Sequence, residues 1–291
     1  MTGSRVVVGY DGSDFSMQAL DWALDECELR HAQLTVAHAW SWPYGEASEE
    51  AKLHLRKAAE HVLQHGADCA RSSSAVGDVV ADLYEGSAAE RLVELSAGAR
   101  LVVVGSRGLG APARSVVGSV AGHVAAGARA PVVVVRGPGP IPAEAEPGPI
   151  VLGLASATPE DAVEFAFAEA ALRGLRLTAL HAVDLREPEW GMKVAPPPCL
   201  DQLAEAVRAR MDDRLAAWRD RHPAIHVEIR TVIASARDAL RTASGGAALL
   251  VVGADRTGPG GQLGTVARAM TETALCPVAV VPAGRPSGKG I

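Results

Sequence analysis

The feature that most constrains this chain is that it is written twice. Val6-Val-Val-Gly9 returns as Ile150-Val-Leu-Gly153, and Leu29-Arg30, Leu34-Thr35 and His38-Ala39 return as Leu172-Arg173, Leu177-Thr178 and His181-Ala182. Leu101 to Gly105 returns as Leu249 to Gly253, and Pro131 to Val135 as Pro277 to Val281. A period of about 145 residues is the size of a single domain, so the two halves must share one fold. Between them the proline-dense stretch from Gly137 to Pro149 reads as an extended linker. The expected layout is a domain at 1–136, a linker at 137–148, a second domain at 149–283 and a flexible tail at 284–291.

Within each half, strand and helix signals alternate. Strand Val6 to Gly9 leads through Tyr10-Asp11-Gly12 to a helix capped by Ser13 or Asp14, with apolar positions at Ala19, Leu20, Ala23, Leu24 and Cys27. A strand at Leu34 to Ala39, a polar helix at 48–69 and a weaker strand near Val76 to Tyr84 follow. Ser87-Ala-Ala-Glu90 is a capping box before the next helix. Strand Leu101 to Val104, a glycine loop, a helix at Val120 to Gly127 and strand Val132 to Val135 complete five strands. In the second half Thr158-Pro159 is expected to cap the first helix and Ser235 the third. Such alternation specifies α/β domains, each a parallel sheet with right-handed crossovers and helices on both faces. The apolar edge at Pro131 to Val135 argues for pairing of the two fifth strands, which would make the chain an intramolecular pseudo-dimer.

Leu101 to Val120 carries the chemistry. An apolar strand runs into a loop containing Gly105, Gly108 and Gly110 with Arg107 and Arg114, and Gly118-Ser119 opens a helix. Free N–H groups and a helix dipole converge there, which makes a cradle for an anion such as a phosphate chain. With a net charge of −6 no global basic field draws the chain to nucleic acid or acidic membranes, so any anion site is local. Cys27, Cys69, Cys199 and Cys276 lack metal or redox spacing and read as reduced thiols. With no signal-type leader and no run approaching the ~20 residues of a span, a soluble cytoplasmic protein is expected.

These residues resemble the universal stress protein family in its tandem two-domain form. The marker is the nucleotide motif G-x2-G-x9-G-S/T, met by Gly105, Gly108, Gly118 and Ser119, together with Val8-Gly9-Tyr10-Asp11-Gly12-Ser13 after the first strand. The resemblance implies a sheet in the order 3-2-1-4-5, pairing of fifth strands between domains, and ATP bound between the ends of strands one and four. The implied pocket residues are Gly9, Tyr10, Asp11, Ala39, Gly105, Arg107, Gly108, Gly118, Ser119 and Val120. Asp11 would repel phosphates, so it should face the nucleoside end or a Mg²⁺ ion. Ala39 matches a position lining the adenine. Ser119 is either an N-cap or a phosphate donor, and the two roles compete. Family members usually carry a hydroxyl where this chain has Ala121.

Three other features read as structural. His38 and His181 occupy matching strand positions, and His54, His61 and His65 lie on a polar, solvated helix face rather than in a metal site. The tail from Gly284 to Lys289 lacks the spacing of a phosphate loop.

The second half departs from the motif. Gly153-Leu-Ala-Ser-Ala157 has no aspartate, and Arg256 stands where the second motif glycine belongs. Gly253 to Gly264 is eleven positions, against thirteen from Gly105 to Gly118. The expectation is one adenine nucleotide per chain, held in the first domain by an ATP-binding regulator of stress adaptation with no or slow hydrolysis. Neither motif supplies a nucleophile or general base. The alternatives are a cyclic-nucleotide or adenylate sensor, an ATP-using enzyme of the related adenine-nucleotide α-hydrolase-like group, and a scaffold that binds nothing. A homodimer of chains remains open at this point.

Overall fold

The computed structural model describes residues 5–42, 45, 48–73, 78–108, 118–136, 147–184, 200–255 and 262–284. The linker from 137 to 146, the loop interior from 109 to 117 with Gly110 and Arg114, Arg256, Cys199 and the tail beyond 284 lie outside the described residues.

The chain divides into two compact units. The first runs β1 (Arg5–Gly9), α1 (Asp14–Arg30), β2 (Gln33–Trp40), α2 (Glu49–Ser73), β3 (Val79–Glu85), α3 (Ala88–Leu95), β4 (Leu101–Gly105), α4 (Ser119–Gly127) and β5 (Val132–Val135). Its strands are all parallel in the order β3-β2-β1-β4-β5. The second runs β6 (Ile150–Gly153), α5 (Glu160–Arg173), β7 (Leu177–Val183), α6 (Leu200–Arg221), β8 (Val227–Ile233), α7 (Ala236–Ser244), β9 (Leu249–Gly253), α8 (Thr265–Thr273) and β10 (Val278–Val281). Its order, β8-β7-β6-β9-β10, is the same plan.

Central strands buried on both faces need unbroken apolar runs rather than alternation. Val6 to Val8 and Leu101 to Val103 are fully buried, as are Ile150, Leu152, Leu250 and Val251. Each such side chain gives roughly 1.5–3 kcal/mol on leaving water. β3 carries a weaker pattern because it is an outer strand with Val80 and Ala81 exposed, and its real limits fall one to three residues later than the expected ones.

Caps follow the local chemistry in three of four cases. Ser13, Ser87 and Ser235 each accept the backbone N–H three residues on, which satisfies one orphan donor of their helices. Thr158 does not. α5 begins at Glu160 with Pro159 in the cap position, and the Thr158 hydroxyl is used inside the preceding turn, accepting from Ala155 N at 2.8 Å and donating to the Gly153 carbonyl at 3.3 Å. The turn after β6 has no aspartate to tie it, and Thr158 takes over that work.

Candidate functional site

β1 and β4 are neighbours, with Val8 beside Val103, at the point where strand order reverses. Open parallel sheets leave a crevice beyond the strand ends at such a point. Its floor is fixed by main-chain bonds. Tyr10 donates its N–H to the Ala37 carbonyl at 2.9 Å, and its own carbonyl accepts from His38 Nδ1 at 2.8 Å. A carbonyl only accepts, so Nδ1 carries the proton and His38 is structural. His181 makes the same bond to the Leu154 carbonyl at 2.7 Å, as its matching position leads one to expect.

The Tyr10 side chain turns away from the crevice towards α2. Its hydroxyl lies 2.7 Å from His65 Nδ1, and its ring covers Gly66, where a Cβ would come within 2.6 Å of the ring. Burial raises the phenol above its ordinary range, with Cys69 and Asp11 adding to the effect. His65 is therefore tied to the turn after β1, a link that the polar surroundings on α2 concealed. His54 and His61 are exposed, and no cluster of three or more metal-ligating side chains occurs among the described residues.

Asp11 joins the two motifs. One carboxylate oxygen accepts from Ser13 N at 3.0 Å and from Ser13 Oγ at 2.6 Å, and Ser13 Oγ in turn accepts from Ser16 N at 3.2 Å. The other oxygen stands over Gly108, where a Cβ would approach it to 2.5 Å. A side chain at 108 would have to displace this carboxylate from its place against the loop after β4. The first turn and the glycine loop, far apart in the chain, are thus in contact.

The motif glycines divide into different kinds. A Cβ on Gly105 would meet the Phe15 carbonyl oxygen at 2.6 Å, so the packing of α1 requires a glycine there, whereas one on Gly9 would meet only the end of the Leu92 side chain, at 2.9 Å, as its closest neighbour. Gly118 is different: among the described residues a Cβ there would come no closer than an ordinary 3.5 Å, to Arg107 Cα, with the Ser106 carbonyl oxygen at 3.7 Å. Gly118 occupies the cap position of α4 and donates its N–H to the Ser106 carbonyl at 2.9 Å. Ser119 is the first helical residue and is not the N-cap, so its exposed hydroxyl does not face the expected competition. Val120 follows, also exposed, while Ala121 is buried, so a hydroxyl there would face the core.

Arg107 lays its guanidinium 4.9 Å over the Phe15 ring, and its Nε is buried without a hydrogen-bond partner. Ala39, half-buried near the end of β2, lies at the same end of the sheet beside Tyr84.

The second unit builds the same crevice from other side chains. The carbonyls of Ala155, Ser156 and Thr158 are gathered by the Arg214 guanidinium of α6, which also reaches the Glu160 carboxylate at 3.0 Å. Asp255, matching Arg107, adopts a left-handed backbone with φ 36°. Its carbonyl and carboxylate oxygens close on Gly264, where a Cβ would lie 2.9 and 3.1 Å from them. A cavity of about 150 Å³ remains, with Gly153, Ala155, Ala182, Gly253, Asp255 and Val266 in its lining. These positions match Gly9, Asp11, Ala39, Gly105, Arg107 and Val120 of the first unit.

Fold and site together define a duplicated open-sheet α/β protein with a crevice at each switch point. Universal stress protein family models match residues 3–136 and again 148–282, and the chain belongs to that family, in its tandem two-domain form. Among curated relatives it is 33% identical over 293 residues to a universal stress protein of Mycolicibacterium smegmatis, covering 95% of this chain and 96% of that one. It is 30% identical over 307 residues to a universal stress protein of Mycobacterium tuberculosis, with 96% and 95% covered. Among solved structures, a universal stress protein from Archaeoglobus fulgidus superposes with a TM-score of 0.74 over 98% of this chain and 97% of that one, at 16% identity. No helix among the described residues is long and apolar enough to cross a membrane.

Proposed function

We propose that the first domain binds one ATP per chain, and that the protein is a nucleotide-dependent regulator of stress adaptation with no or only slow hydrolysis. The observation that carries this reading is the buried, unpartnered Arg107 Nε, on a residue whose Cα lies against Gly118 at the start of α4. A buried guanidinium N–H without an acceptor is costly, and a phosphate oxygen is the acceptor that an arginine fork fits best. Gly118 supports the same reading, because no contact with the described residues requires a glycine there, whereas a phosphate pressed against the helix start does.

The residues present fit the group. In this reading Arg107, Ser119 and the first N–H groups of α4 hold the phosphates, Gly108 lets the loop pass beneath them, and Gly9, Ala39 and Val120 wall the nucleoside. Tyr10 acts from below, fixing the turn through His65. Asp11 suits a Mg²⁺ shared with the phosphates, since such ions are commonly held by one carboxylate and the substrate.

The test is to release nucleotide from the purified chain by denaturation, identify and count it by mass, and titrate the emptied protein with ATP and cyclic AMP. One ATP per chain is expected. Gly118→Val should weaken ATP at least about a hundredfold while costing roughly 1 kcal/mol of stability through the poorer cap. Equal ATP affinity in that variant would place the phosphates elsewhere. Two ATP per chain would overturn the one-site reading, and tighter binding of cyclic AMP would favour an adenylate sensor.

A further inference from the structure

We propose that the cavity of the second domain is a binding site for an uncharged, phosphate-free nucleoside, selected against nucleotides by Asp255. The reading rests on the nucleotide assignment of the first domain for the class of ligand, and on the second domain's own lining for the charge preference. The walls that would face a base and sugar are unchanged in kind: Gly153 for Gly9, Ala182 for Ala39 and Val266 for Val120 all line the cavity of about 150 Å³. Thr265 keeps the hydroxyl of Ser119 at the helix start, but the two side chains that would meet charge most directly are replaced. Asp255 replaces Arg107, and Ala155 replaces Asp11, the expected partner of a divalent ion.

The geometry explains the selection. The loop turns left-handed at Asp255, a conformation that costs a non-glycine residue free energy and therefore signals a constraint. That turn brings the Asp255 carboxylate against Gly264 at the start of α8, where the helix dipole favours negative charge. The chain has thus placed its own anion where the first domain leaves room for a phosphate. A phosphate entering would meet a carboxylate of like sign. Among the described residues of the turn, Thr158 is used by Ala155 and Gly153, and Arg214 by the carbonyls of the turn and Glu160. What is left is an apolar slot, backed by side chains such as Leu154, Leu180 and Leu240, that suits a planar neutral heterocycle.

The experiment is photolabelling of the full chain with 2-azidoadenosine and, separately, 2-azido-AMP, followed by peptide mapping. The nucleoside is expected to label the second domain near Ala155 or Ala182, and the nucleotide to label it at least about tenfold less. Asp255→Ala should raise second-domain labelling by 2-azido-AMP about tenfold or more. Ala155→Phe, on an exposed loop position, should remove the second-domain label while leaving the first-domain label in place. Nucleoside labelling confined to the first domain, or equal second-domain labelling by both probes, would overturn the proposal. Failure of the first domain to take ATP is read separately, in the unlabelled titration, and would remove the nucleotide reading without touching the maps.

Discussion

At the end of β4 the chain reads Gly105-Ser-Arg-Gly108, and at the end of β9 it reads Gly253-Ala-Asp-Arg256. The strands beneath have the same order and are buried at matching positions, and the floor of each crevice is pinned by the same histidine-to-carbonyl bond, from His38 in one and His181 in the other. Above that floor the two domains diverge. The first keeps a carboxylate tied into its turn by Ser13 and sets an arginine beside the start of α4. The second ties its turn with Thr158 from within and Arg214 from α6, and brings a carboxylate to the helix start. Duplication preserved what the sheet needs and released what the crevice needs, because loop residues beyond strand ends carry little of the core packing.

The comparison is most sharply broken at the glycines. Gly105→Ala and Gly253→Ala should each destabilise their own domain by about 1–3 kcal/mol, since a Cβ would strike the Phe15 carbonyl at 2.6 Å or the Pro159 ring at 2.5 Å. Gly118→Ala should cost less than Gly105→Ala, because its Cβ meets nothing closer than 3.5 Å. Denaturant unfolding followed by domain-resolved hydrogen exchange reads all three. Equal losses at 105 and 118 would mean that the start of α4 is as crowded as the start of α1.

Next in size are the two ways of holding the first turn. Arg214→Ala removes several charge-assisted bonds to the carbonyls of the turn and should lower second-domain stability by roughly 1.5–3 kcal/mol. Tyr10→Phe removes one bond, to His65, and should lower first-domain stability by about 0.5–1.5 kcal/mol. Thermal melts of both variants test the ranking, and the reverse order would show that the Tyr10 tie carries more than its single bond.

The smallest effect is set by pH. Cys27 on α1 is almost fully buried, and burial, with Glu26 adding, pushes its thiol from an ordinary value of 9.0 up to about 12. Its counterpart on α5 is Ala170, as Leu154 is the counterpart of Tyr10. Both thiol and phenol bind their protons more tightly in the folded chain. Their contribution is therefore complete below the unfolded values and is lost as pH rises through the folded ones. Between pH 9 and about 12 the first domain should loosen before the second, as mapped by limited proteolysis across an alkaline series. Prior loss of the second domain would refute the assignment. Alkylation at pH 8 should likewise reach the half-buried Cys69 well before Cys27.

Much of this was legible from residues alone. The repeat, the parallel strands, the serine caps and the two motifs at the ends of strands one and four are local patterns, and local patterns survive in one dimension. Three features were not legible. The polar face of α2 gave no sign that His65 reaches Tyr10, because that contact depends on how α2 packs on the sheet. The glycines of the motif look alike in sequence, yet a Cβ at Gly105 would strike the Phe15 carbonyl while one at Gly118 would meet the described residues only at ordinary distances. Thr158-Pro159 has the form of a cap, but with no aspartate in the turn the threonine hydroxyl was drawn inward instead.

What the sequence determined by itself is the duplication and the fold it repeats, because strand and helix periodicity and buried valine runs are set by neighbours in the chain. What only the tertiary structure decided is the character of each crevice. Whether a glycine is forced or spare, whether an arginine has an acceptor, and whether a carboxylate reaches a helix start are distances between segments about a hundred residues apart, and those distances exist only once the sheet has brought the strand ends together.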